Sequence, residues 1–98
     1  MTGVLVIVFL HVGSDRVVAL EDLIAIVDAR AHSVSAEPGF VVKARREGRY
    51  FPDEEGEPNA YVVAEDGVYA TVVTAQTLRR RTKRLITFLS RGSSVVKG

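Results

Sequence analysis

Apolar runs alternate with short polar breaks in the first third of the chain, a pattern typical of β-strands. Residues 4–12 are apolar and rich in β-branched side chains, and they end at the turn signal Gly13-Ser14-Asp15. Residues 17–20 resume the apolar run, so the pattern predicts two strands joined by a short turn. Residues 23–27 favour a third strand, although a helical turn beginning at Glu21 fits the pattern as well.

One short helix is predicted in the middle of the chain. Ser33 and Ser35 are suitable cap residues, Pro38 suits the first helical turn, and Gly48 suits a C-terminal stop. Gly39 lowers helix propensity, so the helix should be short. The apolar residues at helical spacing are Phe40, Val41 and Ala44.

An acidic loop and a hairpin follow. Residues 53–57 are rich in acid and precede Pro58, so we expect this loop to be exposed and mobile. Residues 60–64 and 68–73 are β-rich runs on either side of Asp66-Gly67, the strongest hairpin signal in the chain.

The last part of the chain predicts a basic amphipathic helix that begins at Ala75 and is capped by Thr74. At 100° per residue, four apolar residues gather on one arc. They are Leu78, Leu85, Ile86 and Leu89. Five cations should cover the opposite side. They are Arg79, Arg80, Arg81, Lys83 and Arg84. We expect a single α+β domain over residues 1–90 and a flexible tail over residues 91–98, which are rich in Gly and Ser.

Composition narrows the class of protein. With 98 residues, 47% of them hydrophobic and 26% charged, the chain fits one compact domain, and domains of this size often gain stability by oligomerising. The absence of cysteine excludes disulfides and fits a reducing cytoplasm. The longest apolar run is too short for a membrane helix, and no basic residue precedes it as in a secretory signal. We therefore expect a cytoplasmic protein with no membrane partner.

The net charge of +1 conceals a strong segregation of charge. Residues 1–74 carry −6, whereas residues 75–98 carry +7 and contain no acid. Cations crowded on one helix face repel one another unless an anion relieves them. Double-stranded DNA carries a charge every ~1.7 Å along its axis, and arginine grips phosphate in a bidentate manner. DNA binding is therefore one interpretation of this helix, and the residues alone favour it no more than the alternatives. The alternatives are a solvated charged face, or a helix whose arginine stems cover a partner protein.

A smaller basic cluster lies near the end of the middle helix. It consists of Arg45, Arg46 and Arg49, with Glu47 among them, so a plain exposed face is expected. It would form a secondary basic patch only if it faced the same way as the C-terminal helix.

Residues for catalysis or metal binding are few. The two histidines are His11, in a predicted strand, and His32, in a predicted loop. The sequence shows no recognisable set of nucleophile, base and orienting group. Two isolated histidines make no zinc site, and residues 53–57 lack the ligand pattern of a calcium loop. No glycine-rich phosphate loop occurs. We predict no catalytic residue, no metal, no cofactor and no small-molecule substrate.

Five short stretches carry a resemblance to a known family: residues 9–13, 17–18, 22–28, 68–69 and 77–81. In these the chain resembles the RemA/RemB family of small bacterial extracellular-matrix (biofilm) regulatory proteins, and the RemB branch more than the RemA branch. The resemblance implies a transcription regulator of matrix genes without enzymatic activity. It also implies a mostly β fold like that of LytTR-type domains, assembled into rings that present basic residues to DNA.

The chain departs from the RemA branch at two places. Arginines of that branch follow the first long strand and precede the last hairpin, where this chain has Asp22 and residues 56–59, which are acidic or neutral. Of the family's basic residues, only the run Arg79 to Arg81 after Leu78 has a counterpart in this chain. The working hypothesis is a homo-oligomeric DNA-binding regulator whose phosphate contacts lie on the last helix. The rival is a non-enzymatic adaptor whose basic helix docks on an acidic partner, or on residues 53–57 of a neighbouring subunit.

Overall fold

A computed structural model describes residues 7–13, 15–31 and 37–97, the last seven of these as backbone only. Several residues of the sequence argument therefore lie outside the described part. They are the beginning of the predicted strand at 4–12, Ser14 of the predicted turn, His32, and the predicted caps Ser33 and Ser35.

The fold is a small α+β domain built mostly of strands, as predicted. The elements are β1 (Phe9–His11), β2 (Val17–Ala19), a 3₁₀ turn (Leu20–Asp22), β3 (Leu23–Asp28), α1 (Gly39–Arg46), β4 (Tyr50–Phe51), β5 (Ala60–Ala64), β6 (Gly67–Thr71) and α2 (Ala75–Lys97). Strands β1 and β2 pair as an antiparallel sheet, and a four-stranded sheet has the order β3-β5-β6-β4.

Both predicted hairpins and the predicted third strand are confirmed. β1 pairs with β2, and β5 pairs with β6 across a two-residue turn of Glu65 and Asp66, so that Gly67 of the predicted turn is the first residue of β6. The helical alternative for the third strand is wrong beyond the 3₁₀ turn, because residues 23–28 pair with β5. The short strand β4 was not predicted. It has two residues, too few to show an alternation, and it pairs in parallel with β6.

Two hydrophobic clusters lie on opposite faces of the four-stranded sheet, since successive strand residues point to opposite faces. On one face, Val62 of β5 packs with Leu10 of β1 and Leu78 of α2. On the other face, Tyr61 packs with Val41 and Ala44 of α1. The two helices therefore cover opposite faces of the same sheet.

Helix ends follow the local signals. Pro38 is the N-cap residue of α1, and Gly48 just beyond the helix has a φ of 72°, the left-handed conformation that ends many helices. The Thr74 hydroxyl accepts a hydrogen bond from the backbone N–H of Thr77 at 3.2 Å, so the predicted cap of α2 is confirmed. Helical backbone continues to Lys97, past the start of the predicted tail.

The acidic loop is better anchored than its composition indicates. The prediction of full exposure is wrong for Asp53, whose exposed fraction is 8%. Its carboxylate accepts hydrogen bonds from the backbone N–H groups of Val72, at 3.1 Å, and Glu55, at 3.0 Å. Glu54, Glu55 and Glu57 remain exposed. The buried carboxylate of Asp53 therefore attaches the loop to the end of β6, while the glutamates of the loop face solvent.

Gly13, in the turn between β1 and β2, is packed against the same anchor. Its φ is 116°, and a Cβ atom there would lie 2.5 Å from the hydroxyl oxygen of Thr71 and 3.4 Å from a carboxylate oxygen of Asp53. The hydroxyl of Thr71, whose residue is fully buried, in turn accepts a hydrogen bond from the Val73 N–H at 3.0 Å. The absence of a side chain at Gly13 therefore allows the first hairpin to seat on the second.

We expect Gly13→Ala to lower the free energy of unfolding by about 2–4 kcal/mol, because it combines backbone strain with a clash against buried atoms. Gly39→Ala is the matched control, since no atom lies within 4 Å of a Cβ placed there. This control should raise the free energy by about 0.4–1 kcal/mol. Urea denaturation followed by circular dichroism measures both. Equal stability of the two variants would contradict this account of the turn.

Candidate nucleic-acid interface

One apolar stripe of α2 fixes which side of the helix faces solvent. Ala75 and Leu78 are buried in the first turns, with exposed fractions of 2% and 0%. Leu85 is partly buried against the same cluster. Leu89, one turn further on, lines a depression with Ile7, Val8 and Leu20. The inner side of α2 is thus occupied by the two sheets, and the opposite side must face outward.

Four of the five predicted cations are exposed. They are Arg79, Arg80, Lys83 and Arg84. Arg79 lies on the flank, about 100° from Leu78, where its guanidinium donates a hydrogen bond to the backbone carbonyl of Ile26 at 3.5 Å, and the other three lie on the outward side. None of the ion pairs found among the described residues includes a cation of α2. Arg80, Lys83 and Arg84 line a shallow open depression of about 410 Å³ together with Thr87 and Phe88. We call this set of five residues the outer stripe. It combines one aromatic ring with three cations that form no ion pair with the residues that the structure describes.

Arg81 departs from the predicted arrangement. Its side chain is partly buried, and its guanidinium donates a hydrogen bond to the backbone carbonyl of His11 at 3.0 Å. On a helical wheel it lies about 60° from Leu78, beside the apolar stripe rather than opposite to it. The prediction that Arg81 shares the outward face is therefore wrong in its geometry. Arg81 lies against β1.

Ile86 departs from the prediction in the opposite sense. It was assigned to the buried arc, but its exposed fraction is 53%. It lies about 80° from Leu78 around the helix axis, on the flank away from Arg81. The arc that the sheets cover is therefore narrower than the apolar arc in the sequence.

The smaller basic cluster lies on the far side of the sheet, because α1 covers the other face. Arg45 donates two hydrogen bonds to the Glu37 carboxylate, at 3.0 and 2.6 Å, and stacks 4.1 Å from the ring centre of Tyr50. The hydrogen bond to Glu37 raises the pKa of Arg45. Arg49 pairs with Glu47 at 3.3 Å. Arg46 is exposed. The two basic clusters do not form one surface.

Burial raises the pKa of Tyr50, although the Arg45 charge above its ring lowers it in part. Tyr50 therefore stays neutral at physiological pH and serves as a platform for Arg45. The two arginines of this cluster that have acidic partners are neutralised locally, unlike the cations of α2.

Potential metal ligands do not come together in the part of the chain that the structure describes. No three Asp, Glu or His side chains there come together as metal ligands. The side chain of His11 is exposed on β1.

Among the described residues, no helix has both the length and the apolar character needed to cross a membrane.

The chain is similar to a known bacterial protein. The chain is 27% identical over 73 residues to the Extracellular matrix regulatory protein B of Bacillus subtilis (strain 168). The aligned residues make up 74% of this chain and 88% of that protein. No protein-family model matches the chain. The resemblance to the RemA/RemB family, and to its RemB branch, is confirmed by this similarity.

Arg81 and Arg80 are adjacent in sequence but should differ in what their loss affects. Arg81→Ala removes a charged hydrogen bond to β1 and should lower the free energy of unfolding by about 1 kcal/mol. Arg80→Ala removes an exposed side chain and should change it by less than about 0.5 kcal/mol. Thermal unfolding of the two single variants measures the difference. Equal losses would show that the Arg81 contact does not stabilise the packing of α2.

Proposed function

We propose that this protein is a non-enzymatic cytoplasmic regulator of extracellular-matrix genes that binds double-stranded DNA through the outward face of α2. The similarity to a protein named as an extracellular matrix regulator supports the regulatory role. The observation that carries the DNA contact is the row of exposed cations of α2, which lack ion-pair partners among the described residues. The guanidinium groups of Arg80 and Arg84 and the ammonium group of Lys83 face solvent, where phosphate can reach them, and Arg79 is exposed beside them with its guanidinium 3.5 Å from the Ile26 carbonyl oxygen.

Binding of this kind is mainly electrostatic. Arg79, Arg80, Lys83 and Arg84 would contact phosphates, which fix position on the duplex and carry little sequence information. Specificity would then arise from several copies of the chain engaging one bent DNA, because linked weak contacts multiply in affinity. Several copies on one DNA require a homo-oligomer, for which a ring is the arrangement that the family resemblance implies.

An apolar surface on the first hairpin supports self-association. The side chains of Ile7, Phe9 and Val17 have exposed fractions of 50%, 53% and 48%. Phe9 and Val17 lie on the same outer face of the two-stranded sheet, because Leu10 and Val18 point into the core. Burying such a surface between subunits would add to a core that is small for the chain.

Salt dependence tests the DNA contact. If all four exposed cations of α2 contact phosphate, a plot of log affinity for duplex DNA against log salt should have a slope of about −3.6, at about −0.9 per contact. Arg80→Gln with Arg84→Gln should make the slope shallower by about 1.8. Gel shifts across a salt series measure both slopes.

Lys43→Gln with Arg46→Gln is the matched control. It removes the same charge from exposed positions of α1, on the far side of the sheet. We expect the slope of this control to equal that of the unchanged protein. A control slope as shallow as that of the α2 variant would move the contact away from α2, and absence of duplex binding at low salt would refute the proposed function.

The exposed glutamates of the acidic loop distinguish DNA binding from the adaptor hypothesis. The anchored loop could receive the α2 cations of a neighbouring subunit. If it does, Glu54→Gln, Glu55→Gln and Glu57→Gln together should dissociate the oligomer, and high salt should do the same. We expect instead that light scattering gives the same mass, well above the 10.7 kDa of one chain, with and without these changes. We also expect somewhat tighter DNA binding by the variant. Dissociation into monomers would establish the adaptor arrangement.

A further inference from the structure

We propose that the outer stripe of α2 binds single-stranded nucleic acid, with an unpaired base stacked on the ring of Phe88 and the neighbouring phosphates held by Arg80, Lys83 and Arg84. This inference rests on the proposed function only in using the same basic face. It assigns to Phe88 a role that phosphate contacts alone do not explain.

Phe88 has an exposed fraction of 67%, the highest among the large apolar side chains that the structure describes. A single exposed apolar residue is ordinary at a protein surface. The surroundings of Phe88 are unusual, because it lies one helical turn after Arg84 and lines the same depression as three cations. Proteins that bind single-stranded nucleic acid combine aromatic rings with a positively charged surface, because the rings stack on bases while the cations contact phosphates.

The length of the stripe fits a short single strand. Arg80 and Phe88 are eight residues apart, which corresponds to about 12 Å along a helix. That is about three nucleotides at the ~3.4 Å spacing of stacked bases along one strand. One base can therefore lie on the ring while phosphates on its flank reach the cations.

A membrane surface fits the stripe less well. Among the residues of α2 whose side chains the structure describes, the exposed large apolar ones are Ile86 and Phe88, which lie about 160° apart around the helix axis. One therefore points away from any surface that the other enters. The buried side chains Ala75 and Leu78 belong to the core and cannot supply the apolar face that an interfacial helix inserts.

An intact duplex also leaves the ring unused. Bases in a duplex stack on one another, so their faces are not open to a side chain, and a phenyl ring set among phosphates gains no contact. An unpaired base exposes its face, and stacking on an aromatic side chain is largely independent of base identity. We therefore expect the stripe to prefer single strands, with little sequence preference.

The chain contains no tryptophan, so Phe88→Trp keeps an aromatic ring and adds a unique fluorophore. A thymidine single strand should quench its emission. An abasic strand of the same length carries the same phosphates but should quench little and bind about tenfold more weakly. Ile86→Trp is the matched control, since it places the fluorophore on the same helix outside the stripe. The strand should leave the emission of this control nearly unchanged.

Affinity measured by fluorescence anisotropy of labelled strands completes the test. Phe88→Ala and Phe88→Leu should each weaken binding to the thymidine strand about tenfold, whereas Ile86→Ala should leave it unchanged. All of these variants should bind the intact duplex as the unchanged protein does. This pattern would establish stacking on Phe88.

Three results would overturn the inference. They are equal affinity of Phe88→Ala and the unchanged protein for the single strand, equal affinity for thymidine and abasic strands, and a blue shift of Phe88→Trp with anionic lipid vesicles but not with DNA. In each case duplex binding by the unchanged protein would leave the proposed function standing. Failure to bind either single or double strands at low salt would refute both.

Discussion

Leu78 is buried at the point where three parts of the fold meet, and this packing constrains the rest of the molecule. Its cluster includes Leu10 and Val18 from the two-stranded sheet and Val62 from the centre of the four-stranded sheet. A leucine on the first turns of α2 thereby fixes the rotation of the whole helix. With the apolar stripe turned inward, Arg80, Lys83 and Arg84 must point to solvent, because they lie on the opposite side of a regular helix.

The joint between the two hairpins depends on a second, polar constraint. Thr71 and Asp53 lie behind Gly13, and Asp53 accepts backbone hydrogen bonds that tie the acidic loop to the end of β6. Arg16 adds a hydrogen bond from its guanidinium to the Ala70 carbonyl at 3.1 Å. The first hairpin, which contacts the inner side of α2, is thus attached to the larger sheet by hydrogen bonds. Breaking them would leave polar groups buried without partners, which is destabilising.

Charge is divided between the two faces of the four-stranded sheet in a way that composition hides. The arginines of the α1 region largely find carboxylates nearby, as Arg45 does with Glu37. The exposed cations of α2 have no acid on their own helix, since residues 75–98 contain none. On the α1 side, Arg45 and Arg49 are therefore neutralised locally, whereas the exposed cations of α2 form no ion pair among the described residues. The field of such cations attracts polyanions and falls off with salt.

The sequence alone determined the segregation of charge and most of the helices and strands. The β-branched apolar runs, the Asp66-Gly67 pair, Thr74 as a cap and the amphipathic period of α2 are all local signals, and each depends on residues a few positions apart. They also led to the candidate cations, four of which lie exposed as predicted. A two-residue strand such as β4 carries no such signal, so its pairing with β6 was beyond local patterns.

Tertiary structure alone decided which side chains these elements cover. Arg81 is partly buried because its guanidinium reaches the carbonyl of His11, 70 positions earlier in the chain. Ile86 is exposed because the sheets cover a narrower arc than the apolar residues occupy, and Asp53 is buried because it binds a backbone N–H of residue 72. Local periodicity sets the direction of a side chain relative to its own helix or strand. What lies in that direction depends on segments distant in sequence, and only the packed fold brings them there.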